Sequence, residues 1–378
     1  MKKILLVPDS FKGTMSSSAI CAIMQKSIKE FYPDAQVLSL PVADGGEGSV
    51  DAFLAALGGE KKAALVQGPF GRKMESFFGI LKDTTAVIEM AACAGLPLAG
   101  ADKNPAVTTT YGAGELIKAA LDAGCKKIIM GIGGSATNDG GCGAAAALGV
   151  KFYGRDGEFI PAGGTLHQIE KIDKTGLDDR LQKIELITMC DIDNPLYGEN
   201  GAAYIFGPQK GADTEMVKFL DAGLKHLADT VKKDFSVDIA DTAGAGAAGG
   251  MGYGMRVFLG STLQMGIETV LDTVNFDELV KGVDCVFTGE GKIDSQSLRG
   301  KVVIGIAQRT KKANVPLIAV VGSVGGSIDE AYEKGVSAVF CINSSAQDFS
   351  NPGICAEKNL AFTMKNIMRY HSKVLAPR

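Results

Sequence analysis

The sequence predicts an α/β protein of two domains: a doubly wound parallel sheet assembled from both chain ends, and a mixed-sheet α/β domain inserted between them. Three observations carry this. Short apolar runs followed by helical patterns recur near both termini, the rhythm changes in the middle to paired strands, and 378 residues exceed the usual size of one core.

Taken in order, residues 3–7 (KILLV) form an apolar run that ends at PDSFKG. Ser16 or Ser17 can then cap a helix that carries Ile20, Ile23, Met24, Ile28 and Phe31 on one face. A second run, VLSLPVA (37–43), ends in DGGEGS before an apolar helix with Val50, Phe53, Leu54 and Leu57, closed by Gly58 and Gly59. From about Gly68 the segments PFGRKMESFFGIL and TTAVIEMA read as paired strands joined by a turn at Lys82–Asp83. A helix over 114–123 follows, and then the run Ile128, Ile129, Met130, a buried strand that leads into a glycine-rich loop and an alanine-rich helix start.

The strand expected at 185–189 precedes a stretch rich in turn residues and an amphipathic helix with Val217, Leu220, Leu224, Leu227 and Val231 on one stripe. TAGAGAAGGMGYG (242–254) interleaves its glycines with alanines before an apolar helix, which reads as a packed loop rather than a linker. CVFTGEG (285–291), PLIAVVG (316–322) and AVFCIN (338–343) restore the β-α rhythm. Parallel strands need covered faces, so these three join the two N-terminal strands in one sheet. The expected division is 1–68 with 282–378 against 69–281, with the site in the cleft between the two domains.

Composition narrows the function. With 46% hydrophobic and 22% charged residues the chain is an ordinary globular protein, and a formal net charge of −4 leaves no basic excess to neutralise a nucleic-acid backbone. No stretch approaches the roughly eighteen apolar residues of a membrane span, and the N-terminal run before Pro8 is too short for a signal-peptide core. Eight cysteines without a CxxC pair read as reduced, buried thiols. A cytoplasmic location is expected.

Five loops carry the chemistry. Gly131-Ile-Gly133-Gly134-Ser135-Ala136 satisfies the dinucleotide pattern GxGxxA, but the polar run Thr137-Asn138-Asp139-Gly140-Gly141 intervenes before any helix, and no acid ends the next strand to hold a ribose. The loop reads instead as an anion cradle, with glycines for close approach and helix N–H groups at its end. The second loop, Thr288 to Lys301, sets Lys292, Arg299 and Lys301 beside Glu290 and Asp294 at a strand's carboxyl end, where open α/β sheets bind ligands.

In the third loop, Asp191 directly follows a strand and can hold Mg²⁺ or take a proton, while Asp193 and Asn194 suit an Asx-Pro turn. The last two loops are Asp9–Gly13 and Asp44–Gly48, where Lys12 can clamp an anion and Asp44 or Glu47 can bind hydroxyls or metal. Ser10 and Ser16 can equally cap a helix. His167, His226 and His371 fall outside all these loops, which argues against a histidine triad or zinc site, and GxxxxGK[ST] is absent. Phosphate cradles, carboxylates and cations together are the parts of phosphoryl transfer to a small molecule.

Six motifs in order, PDSFKGTMSS, PVADGGEGS, GIGGSATNDGG, CDIDNPLYG with FGPQKG, AGAAGGMGYG and TGEGKIDSQSLRGK, closely resemble the bacterial glycerate kinases of the type-1 family over nearly the whole chain. The only departures are mild, such as Thr14 and Met15. The resemblance implies ATP-dependent phosphorylation of D-glycerate with Mg²⁺, in many members at the 2-hydroxyl. It also implies a Rossmann-like or flavodoxin-like sheet made from both chain ends.

On that footing, Gly133, Gly134, Ser135, Thr137 and Asn138 are expected to hold the nucleotide's phosphates together with Gly289, Glu290 and Gly291. Lys292 neutralises charge in transfer, Asp191 orients or deprotonates the hydroxyl, and Asp294 or Asp139 holds Mg²⁺. Lys12 and Arg299 clamp the glycerate carboxylate, with Ser10, Asp44 and Glu47 completing the substrate contacts. Two other readings remain: a nicotinamide-dependent hydroxy-acid dehydrogenase on GxGxxA, and a phosphometabolite-binding sensor without turnover. A monomer and a homodimer are both compatible with the sequence.

Overall fold

The computed structural model describes residues 1–43, 45–294, 297, 301–343 and 353–375, so Asp44 and Arg299 lie outside the described residues. The chain divides by its internal contacts into two units, residues 1–44, 51–57 and 265–378, and residues 45–50 and 58–264.

The first unit is built on five parallel strands in the order Val336–Cys341, Leu317–Val321, Cys285–Gly289, Lys3–Pro8, Gln36–Ser39. All five were legible as apolar runs. Helices Ser17–Phe31 and Gly353–Tyr370 pack against each other, and their buried Ile20, Met24, Ile28, Leu360 and Met364 share a core with Ile4, Leu6 and Phe287. Ser16 caps the first helix by accepting from the Ala19 N–H at 3.2 Å. The chain pairs Lys3–Pro8 with its second strand on one side and with Cys285–Gly289 on the other, so the order reverses at Lys3–Pro8.

The second unit holds a six-stranded sheet ordered Thr262–Gln264, Glu185–Met189, Lys127–Gly131, Thr85–Glu89, Lys73–Leu81, Gly59–Gln67. The first four run parallel and Lys73–Leu81 runs antiparallel to both its neighbours, Thr85–Glu89 and Gly59–Gln67, which makes the sheet mixed as expected. Ile88, Ile128 and Met130 share a buried core with Leu116 and Ile117 of helix Tyr111–Asp122. The anticipated stripe Val217, Leu220, Leu224, Leu227, Val231 is buried on helix Thr214–Phe235, whose N-terminus Asp213 caps at 2.8 Å from the Met216 N–H.

Five features differ from the expectations. Gly58 and Gly59 end the helix Ser49–Leu57, but a strand begins at once, and Gly59–Gln67 pairs residue for residue with Lys73–Leu81. That strand and the helices Gly266–Thr273 and Phe276–Leu279 shift the division of the chain to 57/58 and 264/265 instead of 68/69 and 281/282. Helix Tyr111–Asp122 begins three residues early, and the glycine-rich 242–254 segment enters helix Ala247–Val257 with left-handed backbone at Ala248, Gly249 and Gly250. The alanine-rich stretch forms a helix of only six residues, Cys142–Ala147.

Candidate active site

In both units the flagged loops leave the carboxyl ends of parallel strands, where a sheet's crevices open to ligands. In the first unit the loops after Lys3–Pro8 and Cys285–Gly289 run side by side at the point where strand order reverses. The Asp9 N–H donates to the Gly289 carbonyl at 2.8 Å, and a Cβ at Gly291 would make ordinary contact with the Phe11 Cα, at 3.5 Å. Gly289 admits no side chain at all, since its Cβ would stand 2.3 Å from the Val320 carbonyl oxygen.

Around these backbones stand Asp9 and Glu290, both buried, and Lys12 and Lys292, both exposed. Asp9 folds back on its own turn, its Oδ1 accepting from the Ser10 N–H at 2.6 Å. Lys292 pairs with Asp294 at 3.0 Å, and Ser297 braces the same turn by donating from its N–H to the Asp294 carboxylate at 3.4 Å. Burial lifts the Glu290 carboxyl to about 7; a hydrogen bond from Ser297 and the Lys301 charge oppose this, while Asp9 and Asp294 add to it. One oxygen of Glu290 is buried without a hydrogen-bond partner. A carboxyl poised near neutrality can hold a proton beside an anion and donate it as a hydrogen bond.

In the second unit Glu89, Gly131 and Met189 end adjacent parallel strands, and Asp191 follows two residues after the last, half-buried. Glu89, 2% exposed, was not flagged from sequence; it accepts from the Gly48 N–H at 3.1 Å and the Val50 N–H at 2.6 Å and so holds the Gly45–Val50 loop. The Gly45 carbonyl in turn accepts from Gly133 N–H at 3.0 Å, so the DGGEGS and GIGGS glycines touch within this unit. Gly131 is obligatory there, because a Cβ would lie 2.2 Å from the Gly45 oxygen. Glu47 projects exposed from that loop, and Ser10, in the first unit, is half-buried.

The glycine loop itself is held from inside. Asp139 is fully buried, and its carboxylate accepts from Thr110 N–H (2.8 Å), Thr110 Oγ1 (2.8 Å), Gly141 N–H (3.1 Å) and Gly143 N–H (3.3 Å). Burial raises its pKa and these four donors pull it down. Thr110 Oγ1 also accepts from Ala144 N–H at 2.9 Å. The first N–H groups of helix Cys142–Ala147 are therefore engaged by Asp139 and Thr110, and the expected anion cradle at that helix start is replaced by an internal cap.

Asp139 likewise has its oxygens directed at backbone and hydroxyl donors, a poor state for a metal ligand. Lys210, buried with 2% exposure, donates to the Thr137 carbonyl at 2.6 Å, and Thr108 Oγ1 donates to the Ala136 carbonyl at 2.8 Å. Neither was singled out as a site residue from sequence, although Lys210 stands in the FGPQKG motif. Gly133 and Gly134 stay accessible, Ser135 is nearly enclosed, and Thr137 and Asn138 are enclosed with the Thr137 hydroxyl and both ends of the Asn138 amide unpartnered.

No group of three or more His, Cys, Asp or Glu fit to hold a metal occurs among the described residues. Mg²⁺ in kinases is usually bound by one or two carboxylates together with substrate phosphates, and Asp294 fits that sparser demand better than Asp139. His226 bonds the Ile169 carbonyl at 2.7 Å, His167 stacks edge-on to Phe219 and His371 to Tyr32, all away from these loops. No helix among the described residues is long and apolar enough to cross a membrane.

Comparison with known proteins gives a consistent result. Residues 4–372 match the model of the glycerate kinase family. The glycerate 2-kinase of Escherichia coli (strain K12) is 46% identical over 97% of this chain and 99% of its own length, and a glycerate kinase of Bacillus cereus is 45% identical over 97% of both. A solved structure described as a glycerate kinase 2 from Salmonella typhimurium LT2 superposes with a TM-score of 0.86, at 40% identity and 97% coverage of each chain.

Proposed function

The chain belongs to the glycerate kinase family and is a kinase, and from that premise we propose that it transfers the γ-phosphoryl group of ATP to D-glycerate, at the 2-hydroxyl. One observation carries the reading beyond family membership: in each unit glycine-rich loops emerge at the carboxyl ends of parallel strands, with cations and carboxylates on those of the first unit and carboxylates on those of the second. The choice of the 2-position is supported by the name of the Escherichia coli relative.

From the first unit, Gly289 and Gly291 offer close backbone approach to phosphate, and Lys292 supplies the mobile positive charge that phosphoryl transfer needs. Glu290, near neutrality, can carry a proton to a phosphate oxygen. Lys12 and Arg299 hold the acceptor's carboxylate, and Ser10 and Asp44 its hydroxyls. From the second unit, Gly133, Gly134 and Ser135 face the nucleotide's phosphates, and Glu47 adds to the acceptor's contacts.

Asp191 orients the attacking hydroxyl and accepts its proton. Asp294 holds Mg²⁺ brought with the nucleotide; when bound, the ion screens the charge on the phosphate oxygens. Asp139 serves to brace the loop.

The test is ATP consumption coupled to D-glycerate, with separation of 2- from 3-phosphoglycerate in the product. Turnover that depends on D-glycerate and yields the 2-isomer is expected, and Asp191→Asn should lower kcat by about 100-fold or more. Absence of glycerate-dependent ATP consumption overturns the proposal. A nicotinamide absorbance change with glycerate would favour the dehydrogenase reading instead.

A further inference from the structure

Lys210 is a lysine at 2% exposure, on a single helical turn, Pro208–Lys210. Buried lysines are costly unless something uses the charge. The ammonium donates to the Thr137 carbonyl at 2.6 Å, and its pKa falls to about 7 through burial, against which the Asp139 charge works.

The peptide bond is planar and trans, so a carbonyl and the next N–H point opposite ways. Holding the Thr137 carbonyl on Lys210 therefore turns the Asn138 N–H away from Lys210. The Thr108 hydroxyl does the same one peptide earlier, holding the Ala136 carbonyl at 2.8 Å and turning the Thr137 N–H away. Asp139 pins the other end of the loop through Thr110, Gly141 and Gly143. Between these anchors the Thr137 hydroxyl and both ends of the Asn138 side-chain amide, a donor and an acceptor, are buried with no hydrogen-bond partner. A loop held at its carbonyls and at its far end keeps one shape, and with it the accessible Gly133–Gly134 backbone that leads into it.

We propose that Lys210 is a positioning residue for phosphoryl transfer: its buried ammonium fixes the Thr137–Asn138 peptide so that the loop meets the transferring phosphate in one geometry. This rests on the kinase reading given above. Lys210 touches no substrate itself. It acts through the loop, and a donor aimed at a developing charge contributes to kcat rather than to ground-state binding alone.

The experiment compares the full chain with Lys210→Met, which keeps the bulk and removes the donor, and Lys210→Gln, which keeps an N–H for the Thr137 carbonyl. Three readouts are taken: steady-state kcat and KM for each substrate, ATP binding by titration calorimetry, and Tm. Lys210→Met is expected to lower kcat by about 100-fold, the scale of losing a pre-set donor, to weaken ATP binding about tenfold, and to leave the glycerate KM within about threefold. Lys210→Gln should recover at least about tenfold of the lost kcat.

Wild-type kcat and ATP affinity in Lys210→Met overturn the proposal, whatever happens to Tm. If Lys210→Met does not fold, Lys210→Gln decides: a folded variant no better than about 1% of wild-type kcat overturns the carbonyl-fixing role. Should the wild type bind ATP yet fail to phosphorylate glycerate, the kinase reading falls, and the ATP affinities of the variants still decide the role of Lys210. A wild type that binds no ATP overturns both.

Discussion

The Glu290 carboxyl is 8% exposed at the end of the strand Cys285–Gly289, and burial moves it from 4.5 to about 7. Its folded pKa is thus raised above the unfolded value, so its share of stability is intact below pH 4.5 and is lost as pH rises through 7. Glu290→Gln, an uncharged isostere, should match the wild type to within a few tenths of a kcal/mol at about pH 4 and exceed it at about pH 8 by about 3 kcal/mol, taking 1.36 kcal/mol per unit. Denaturant unfolding at the two pH values measures this. A difference that does not change between them would show that the carboxyl is not held near neutrality in the fold.

At the level of elements, the glycine loop depends on a neighbour that approaches it without side chains. Gly249, at φ +71° in the break at the start of helix Ala247–Val257, would carry a Cβ 2.0 Å from the Thr137 oxygen. Gly249→Ala must strain its own backbone and push on the carbonyl that Lys210 holds. A loss of about 2–4 kcal/mol in denaturant unfolding is expected, with kcat falling as well. Unchanged stability would mean that the break is not rigid. Elements that were legible in advance share a cause: KILLV, CVFTG and LIAVV are apolar because both faces of a parallel sheet are covered, and the stripe from Val217 to Val231 repeats because one helix face is buried. Gly59–Gln67 was missed because its sequence, GEKKAALVQ, is largely exposed and lacks alternation; only its pairing with Lys73–Leu81 makes it a strand. The site divides the same way. Glycines and charges at strand ends could be read locally, whereas Lys210, Glu89 and Thr110 act on partners 73, 39 and 29 residues away, a proximity that no local pattern encodes.

For the whole molecule, the division of the chain is not a single cut. The segment Gly45–Val50 belongs with the mixed sheet while the residues on either side of it belong with the parallel one. A fragment of residues 58–264 therefore lacks the Gly48 and Val50 N–H groups that Glu89 accepts and the Gly45 carbonyl that Gly133 uses. Its Tm should lie about 5–10 °C below that of a fragment of residues 45–264, from two or three lost hydrogen bonds in a unit of this size. Equal values would show that the segment contributes nothing to the mixed-sheet unit.

The central strand of the parallel sheet has a further consequence, one of time. Lys3–Pro8 pairs with Gln36–Ser39 early, but its other edge waits for Cys285–Gly289, about 280 residues later. At the roughly 5–20 residues per second of synthesis, that edge stays unpaired for about a quarter of a minute to a minute, while the whole mixed-sheet segment is made. The nascent protein thus carries an apolar strand edge, the kind that other chains can pair with, for most of its own making.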